Sequence, residues 1–434
     1  MTWNIYHGDN IEVMKNIPDD TYTSVITDPP YGIAFMGKAW DKALPNKETW
    51  KELLRITKKG GVLLAFGAPR MYHRLAVDIE DAGWKIIDSM MWVYGQGFPK
   101  SYNISKGIDK RLGTERVTIG QWKPTGSARP NKGKGGHSAS YSSSTQPEEK
   151  INGTYIPITI AGSEEAKAFE GFGTNLKPAY EPIIIAMKPV KKSFVDNALD
   201  VGISGFNIDE ARIPTKENLD RKRGYTDKGF MPMKGGVSIG SDKGRYPSNL
   251  VLSHDERCTK SKCVKDCPIK MLDKQAGDRK AGGHVKKGKA HLKFYGGGKD
   301  NSSELEQNFK SYADFGGASR FFYCTKPSQS SREGYLNHPT MKPIGIVEYL
   351  IKLVKQPKGR TKILDPFGGS GTTLVASLRQ NVDCDVIEME EEYVKMIRRR
   401  YANELRSTSK SRFDNKSKNK AFNKFKKFRR SKDK

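Results

Sequence analysis

The chain has 434 residues and a formal net charge of +27, because 76 Lys and Arg residues outnumber 49 Asp and Glu residues. This length accommodates two folded parts plus tails, and the basic excess favours a polyanion as partner. No apolar run approaches the roughly 18 residues that cross a bilayer, and no secretory segment opens the chain. We therefore expect a soluble cytoplasmic protein without membrane contact, whose five cysteines stay reduced.

The first predicted element is a strand that ends in an acidic residue. Residues 3–9 read Trp-Asn-Ile-Tyr-His-Gly-Asp, and the apolar pattern of residues 11–17 predicts a helix. Asp9 lies just before that helix, where Asp is a favourable N-cap.

A short buried strand is predicted next, at residues 24–27, where Ser-Val-Ile-Thr runs into a Pro/Gly breaker. The following residues are Asp28, Pro29, Pro30 and Tyr31. Because prolines have a fixed φ and no N–H, this loop offers a carboxylate, bare carbonyls and an aromatic ring. Such acceptors suit an NH2 group on a flat ring, as in adenine or cytosine. The alternative is a tight turn with an incidental Asp and Tyr.

Helices and strands alternate after this loop. The pattern predicts a helix at residues 47–57, a strand at 62–66, a helix at about 69–82 and a strand at 84–94. This alternation is typical of an α/β fold with a doubly wound sheet. Residues 33–41 are interpreted either as a lid over the substrate or as a segment packed on the core.

The middle of the chain is less regular. Residues 111–150 are rich in Gly, Ser, Lys and Pro, which predicts a mobile basic loop. Residues 151–191 are predicted to continue the core, with a strand at 182–187. In residues 192–330 the periodic pattern weakens, glycines multiply and the basic excess persists.

Four soft metal ligands fall within a short span of residues 192–330. They are His254, Cys258, Cys263 and Cys267, with the spacing H-x3-C-x4-C-x3-C. Such a set is sufficient for a tetrahedral structural zinc site. Because this spacing is not a common zinc-ribbon pair, buried thiols beside a surface histidine are the alternative. Cys324 is predicted to lie in a core strand instead.

A second strand and loop lie near the end of the chain. The apolar run 362–364 ends at Asp365, and a glycine-rich turn then opens a helical pattern. The turn consists of Pro366, Phe367, Gly368, Gly369, Ser370 and Gly371. Its glycines allow the backbone to approach a ligand, and it lacks the Gly-Lys-Ser/Thr of a triphosphate loop. Glu388 ends the next strand at the spacing of a ribose-binding carboxylate, so an adenosine cofactor without a pyrophosphate is indicated.

The segment 405–434 is predicted to be a disordered basic tail. From residue 406 it holds 13 Lys and Arg residues against two Asp, interleaved with four Phe. Such a tail could follow phosphates while its rings stack on exposed bases. The alternative is a solvated tail that only aids solubility.

Together these motifs resemble those of the amino-methylating DNA methyltransferases that use S-adenosylmethionine. That family shares a D/N/S-P-P-Y/F/W catalytic motif and a D-P-F-x-G-S-G-T-T cofactor motif. Here the catalytic motif comes first, as in the permuted β group. Gly8-Asp9 and the His-Pro-Thr-Met-Lys-Pro of residues 338–343 are similar to further elements of the family. Residues 97–101, 176–182 and 206–209 resemble phage and prophage members.

The resemblance implies a Rossmann-like sheet in which the strands before the two loops are neighbours. Residues 1–110 would form the catalytic half and residues 331–404 the cofactor-binding half. An inserted, irregular target recognition region would occupy residues 192–330. The partner implied is double-stranded DNA, and relatives in the β group are often homodimers.

The resemblance also implies roles for single residues. Asp28 and the Pro29 carbonyl would accept the amine hydrogens of a flipped base, on which Tyr31 would stack. S-adenosylmethionine would be held through its ammonium, ribose, adenine and methionine carboxylate. The residues implied are Asp365 for the ammonium, Glu388 for the ribose, Asp9 near the adenine, and Thr340 and Lys342 for the carboxylate.

Three alternatives to an adenine-N6 enzyme are kept open. Cytosine N4 is also a ring amine, and adenine is favoured because Asp at position 28 resembles the adenine-type motif. An RNA or protein-amide methyltransferase can use a similar acceptor loop, although the large basic region favours duplex DNA. A non-catalytic nucleic-acid packaging protein would explain the charge but would leave both motifs unexplained.

Overall fold

The computed structural model describes residues 2–33, 39–95, 97, 101–122, 156–215, 221–223, 236–238, 243–259, 261–280, 315–326, 341–357 and 359–407. The chain divides into two compact units. The larger combines Met1–Gly95 with Tyr180–Lys434, and the smaller is Gln96–Ala179. Within the described ranges, no helix is long and apolar enough to cross a membrane.

The strands follow in chain order. They are β1 (Trp3–His7), β2 (Tyr22–Thr27), β3 (Thr57–Phe66), β4 (Lys85–Val93), β5 (Val117–Trp122), β6 (Ile156–Ile160), β7 (Tyr180–Met187), β8 (Arg221–Arg223), β9 (Gly236–Ser238), β10 (Leu250–Ser253), β11 (Arg279–Lys280), β12 (Phe315–Gly316), β13 (Tyr323–Thr325), β14 (Lys362–Asp365) and β15 (Asp383–Glu388).

The helices are α1 (Asn10–Lys15), α2 (Lys47–Ile56), α3 (Tyr72–Asp81), α4 (Ile104–Leu112), α5 (Glu164–Ala168), α6 (Phe194–Asp200), α7 (Ile208–Ala211), α8 (Pro268–Ala276), α9 (Ile344–Val354), α10 (Thr372–Gln380) and α11 (391–407). Short 3-10 turns lie at Ala39–Asp41 and Ala318–Phe321.

Nine of these strands form one sheet in the larger unit, in the order β1-β15-β14-β2-β3-β7-β4-β10-β13. Each pairing is parallel except those of β7, which runs antiparallel to both β3 and β4. The predicted Rossmann-like α/β fold is confirmed. The predicted neighbours β14 and β2 do pair, with Ile363 opposite Ser24 and Leu364 opposite Val25.

Apolar side chains cover both faces of this sheet, because successive strand residues point to opposite sides. Ile26 and Leu64 belong to one buried cluster, which also contains apolar side chains of α9, α10 and α11. Val25 and Leu63 belong to the other, with apolar side chains of α1, α2 and α3. With both faces covered, β2 is buried along its whole length, as expected for a central parallel strand.

The smaller unit contains α4, α5 and the antiparallel pair β5–β6. Asp109 ties these elements together, since its carboxylate accepts from Arg116 Nη1 at 2.7 Å and from the Ser163 hydroxyl at 2.7 Å. The structure therefore has a strand, β5, in a segment where the sequence predicts a loop. Residues 123–150 of that segment lie outside the described residues.

The described parts of the region 192–330 contain regular elements as well. Two of its strands, β10 and β13, join the main sheet beside β4. The backbone N–H of Asn207, just before α7, donates to Leu353 O at 2.8 Å and so links this region to α9. Of the predicted lid and the basic tail, residues 34–38 and 408–434 fall outside the described residues.

Candidate active site

Two loops open at the same edge of the sheet. The residues 28–31 follow β2, and the glycine-rich turn 366–371 follows β14. Since β2 and β14 are parallel neighbours, their carboxyl ends lie side by side. Ligands of open α/β sheets bind in the crevice outside such strand ends, so this edge is the candidate site.

The Asp28 carboxylate is held from two sides. The Tyr31 hydroxyl donates to its Oδ1 at 2.7 Å, and Lys342 Nζ donates to its Oδ2 at 2.6 Å. Each carboxylate oxygen accepts more than one hydrogen bond, so both keep capacity for a further donor. Asp28 is therefore fixed in orientation while it remains an acceptor.

A second carboxylate, Glu181, completes this network. Its Oε2 lies 3.2 Å from Lys342 Nζ and 3.0 Å from the Tyr31 hydroxyl oxygen. Glu181 reaches this edge because β7 is antiparallel, so that the start of β7 lies beside the ends of its parallel neighbours. Glu181 was not predicted as a site residue, although it lies within the 176–182 motif that resembles phage and prophage members. That motif, just before the predicted strand 182–187, was the available signal.

Lys342 is the only cation among these contacts and is just 8% exposed. Burial alone would lower the pKa of Lys342, but the charges of Asp28 and Glu181 outweigh burial and raise it. Its ammonium also lies 5.3 Å from the centre of the Tyr31 ring and 5.2 Å from that of Phe66. The single positive charge of Lys342 thus lies against two partly buried carboxylates.

The same surroundings determine the protonation state of the Tyr31 hydroxyl. Burial raises the pKa of Tyr31 well above its usual value, and the charges of Asp28 and Glu181 raise it further. The phenol therefore stays protonated and can donate to either carboxylate.

Asp41 fixes the backbone of the same loop. Its Oδ1 accepts from Tyr31 N at 2.6 Å and from Gly32 N at 3.2 Å. Because Pro29 and Pro30 carry no N–H, these are the first backbone donors after the prolines. Asp41 lies within the segment interpreted as a lid or as core, and its side chain is buried.

Asp365 lies at the end of β14 and is 3% exposed. Its Oδ1 accepts from the Thr27 hydroxyl at 2.9 Å and from Phe367 N at 3.2 Å, and its Oδ2 accepts from the Thr373 hydroxyl at 2.7 Å. Burial raises the pKa of Asp365 to about 7, although these hydrogen bonds oppose the shift.

We expect this shift to make stability depend on pH. A carboxyl whose pKa is raised from 3.8 to about 7 on folding favours the folded state fully below pH 3.8. That contribution is lost as the pH rises through about 7, and it amounts to at most about 4 kcal/mol. Urea unfolding of the wild type and of Asp365→Asn across this range would measure it. A difference between the two proteins that does not change with pH would contradict the prediction.

The glycine-rich turn has a backbone that disfavours other residues. Gly369 and Gly371 have φ values of 50° and 75°, in the left-handed region. A Cβ on Gly371 would also lie 2.9 Å from Ile397 of α11. The turn is braced by Arg400, whose Nη1 donates to Ser370 O at 2.9 Å and to the Thr372 hydroxyl at 3.0 Å.

Glu388 ends β15 beside this turn. Its Oε2 accepts from Gly369 N at 2.6 Å, and its Oε1 accepts from Glu390 N at 2.8 Å. Burial raises the pKa of Glu388, and these two backbone donors partly offset the rise. The carboxylate is thus tied to the turn on the side where the sequence analysis places a ribose.

Asp9 and Lys342, which were also assigned to the cofactor, make their hydrogen bonds to other parts of the protein than the glycine-rich turn. Asp9 is the N-cap of α1, where its Oδ1 accepts from Ile11 N at 2.9 Å and from Glu12 N at 3.2 Å, so the predicted cap is confirmed. Lys342, assigned to the methionine carboxylate, contacts Asp28 and Glu181. Thr340 lies outside the described residues.

The four predicted zinc ligands come together elsewhere in the larger unit. Their ligand atoms all lie within 4.8 Å of one another. Burial raises the pKa of the Cys258 thiol to about 11 and lowers that of His254. At Cys267, burial raises the pKa but backbone N–H groups outweigh it, so the pKa is lowered. Cys324 lies in β13, as predicted.

Two curated relatives match part of the chain. The Type II methyltransferase M.ScaI of Streptomyces caespitosus is 29% identical over 152 residues, which cover 30% of this chain and 49% of that protein. The Type II methyltransferase M2.MboI of Moraxella bovis is 37% identical over 79 residues, which cover 18% of this chain and 28% of that protein. The chain thus spans less than half the length of either relative.

Solved structures align with most of the chain at low identity. The complex of M1.HpyAVI with SAM is 14% identical and has a TM-score of 0.37, covering 92% of this chain and all of that one. The cytosine-N4-specific PvuII DNA methyltransferase is 13% identical with a TM-score of 0.42, covering 92% of this chain and 86% of that one.

The family described as DNA methylase, which groups N6 and N4 enzymes, matches residues 22–399. This match spans both loops of the candidate site and most of the main sheet. The chain therefore belongs to the family of N6 and N4 DNA methylases.

Proposed function

We propose that this protein transfers a methyl group from S-adenosylmethionine to the exocyclic amine of a base in DNA, with adenine N6 as the favoured acceptor. One observation carries the proposal. In a chain of this family, an acceptor loop at residues 28–31 and a glycine-rich turn at 366–371 lie at the carboxyl ends of two paired strands. The two loops can therefore serve one reaction.

The glycine-rich turn fits a cofactor of this kind. Its left-handed glycines carry no Cβ, so the backbone can approach a ligand closely. Glu388, tied to Gly369, would bind the ribose, and Asp365 at the end of β14 would bind the ammonium group. Asp9 would lie near the adenine, and Thr340 would contact the methionine carboxylate. When bound, S-adenosylmethionine supplies a methyl group that is open to attack by a nitrogen lone pair.

Asp28 and the Pro29 carbonyl would act on the other reactant. Both are acceptors, and the loop's prolines offer no competing N–H groups. By accepting the two amine hydrogens they would draw the nitrogen out of conjugation with its ring and free its lone pair. This role needs positioning and electrostatics, with no covalent enzyme intermediate.

The surrounding side chains would hold Asp28 for this task. Lys342 and the Tyr31 hydroxyl fix its two oxygens, and Glu181 balances the positive charge of Lys342. Because of this contact, Lys342 would position the acceptor, beside its proposed contact with the methionine carboxylate. The Tyr31 ring would stack on the extruded base.

The proposal of DNA as substrate rests on charge and on family membership. A net charge of +27 suits a polyanion, and a base must leave the duplex before a pocket can surround its amine. Within the chain, residues 192–330 would recognise the target and residues 405–434 would contact phosphates without sequence preference. Both curated relatives are described as Type II methyltransferases.

Labelled methyl transfer to unmethylated duplex DNA, followed by mass spectrometry of the nucleosides, tests the function. We expect N6-methyladenine, and no product on RNA of the same sequence. Detection of N4-methylcytosine instead would leave the proposed mechanism unchanged but would show that cytosine, not adenine, is the acceptor. Methyl transfer to RNA or to protein, with none to DNA, would contradict the proposed substrate. Failure to bind S-adenosylmethionine would contradict the whole proposal.

A further inference from the structure

We propose that His254, Cys258, Cys263 and Cys267 bind one zinc ion, and that this ion stabilises the far end of the main sheet. Tetrahedral zinc with Zn–S bonds of about 2.3 Å and Zn–N bonds of about 2.0 Å separates sulfur from nitrogen by about 3.6 Å. In the structure, His254 Nδ1 lies 3.4 Å from Cys263 Sγ and 3.3 Å from Cys267 Sγ. These separations approach those around a bound zinc ion.

Ordinary packing does not account for this arrangement. A neutral imidazole nitrogen makes one hydrogen bond, as a donor or as an acceptor, yet two sulfur atoms lie against the same Nδ1. Cys258, Cys263 and Cys267 form no disulfide. A shared cation satisfies the nitrogen and the sulfur atoms together.

The local backbone presents the sulfur atoms in the manner of a metal-binding turn. The Val264 N–H points at Cys258 Sγ at 3.4 Å, a contact that favours a thiolate. Between the first two cysteines, Thr259 N donates to Lys262 O at 2.8 Å and closes the turn. Cys267 is the N-cap of α8, so its sulfur lies at the start of that helix, 3.3 Å from His254 Nδ1.

Four protein ligands close the coordination sphere, so the ion has a structural role. His254 directly follows β10, and Cys267 begins α8. The fully buried apolar residues around the site are few: Leu252, Ile269 and the two cysteines Cys258 and Cys267. So small a cluster supplies little hydrophobic stabilisation, and a metal compensates for this in small folded elements.

The stabilisation would extend to the edge strand β13. Asp273 of α8 accepts from Ser319 N at 2.8 Å and from the Ser319 hydroxyl at 2.7 Å, just before β13. The ion would therefore link β10, α8 and β13 at one end of the sheet. The two loops of the candidate active site follow β2 and β14, which lie four or more positions away from β10 in the strand order.

Metal content of the full-length protein, purified without chelator, tests the inference independently of methyl transfer. We expect one zinc per chain, lost from Cys263→Ser, which changes a half-buried ligand by a single atom. Cys324→Ser is the matched control, because Cys324 packs against the same cluster but lies outside the ligand set. The control should keep its zinc. Chelation should lower the Tm of the wild type and leave that of Cys263→Ser unchanged.

Cobalt(II) substitution of the wild-type protein provides a second measurement, which does not depend on the folding of any variant. Tetrahedral thiolate ligation should give intense sulfur-to-cobalt charge-transfer absorption. A reduced protein that contains no zinc and shows no such absorption with cobalt would overturn the inference. Equal zinc content in the wild type and in Cys263→Ser would also overturn it, because the metal would then lie elsewhere.

Discussion

Replacing Asp28 with Asn is expected to lower kcat for methyl transfer by about 10²- to 10³-fold, the usual loss when a group that stabilises the transition state is removed. The amide of the variant can still fit. Its NH2 can face the Tyr31 hydroxyl, whose own proton then points to Glu181, while its oxygen accepts from Lys342. The variant then keeps one acceptor oxygen, which Lys342 already contacts, and presents an NH2 donor in place of the other oxygen.

Affinity for S-adenosylmethionine should change little in Asp28→Asn, because Asp365, the glycine-rich turn and Glu388 follow other strands and Lys342 is unchanged. Single-turnover methylation and equilibrium cofactor binding would separate the two effects. Asp81→Asn is the matched control, since Asp81 also contacts a lysine, Lys47 at 2.6 Å, but is about half exposed. A kcat close to that of the wild type in Asp28→Asn would contradict the role assigned to this carboxylate.

Replacing Lys342 with Met is expected to destabilise the fold by at most about 3 to 5 kcal/mol, the cost of removing one partner of a fully buried ion pair, because Asp28 and Glu181 are only partly buried. The Met side chain can occupy the space between the Tyr31 and Phe66 rings, so the effect should arise from charge. Without the ammonium, the carboxylates of Asp28 and Glu181 face each other across the Tyr31 hydroxyl. Urea unfolding at neutral pH would measure the loss.

Two comparisons identify charge as the cause. Adding Glu181→Gln to Lys342→Met removes one of the two facing carboxylates and should restore part of the lost stability. The exposed ion pair between Lys47 and Asp81 provides the control. Lys47→Met should lower the free energy of unfolding by only about 0 to 1 kcal/mol. Equal losses in Lys47→Met and Lys342→Met would contradict the argument.

The sequence predicted those features whose residues are contiguous. Each of the strands β2 and β14 runs directly into its loop, so the apolar run and the breaker appear within a dozen residues. Helix α2 was predicted to within one residue at each end because Asn46 caps it and its apolar residues recur at helical spacing. The pairing of β2 with β14 came from the family resemblance, and the structure confirms it.

Contacts between distant residues could not be predicted in this way. Lys342 and Asp28 are 314 positions apart, and Glu181 is 150 positions from Tyr31, so no local pattern reports their contact. β10 has only four residues, too few for a periodic signal. β5 was not predicted because it lies within the segment 111–150, whose average composition is that of a loop.

The position of the smaller unit within the chain has a consequence for how such enzymes diversify. Gln96–Ala179 is inserted between β4 and β7, and Val93 at the end of β4 pairs with Tyr180 at the start of β7. The two junctions are thus adjacent, as at the ends of a hairpin. Each doubling of the number of residues in a loop costs only about 0.6 kcal/mol in closure entropy. Inserted segments of very different length are therefore tolerated between β4 and β7, while the pairing of these two strands keeps its register.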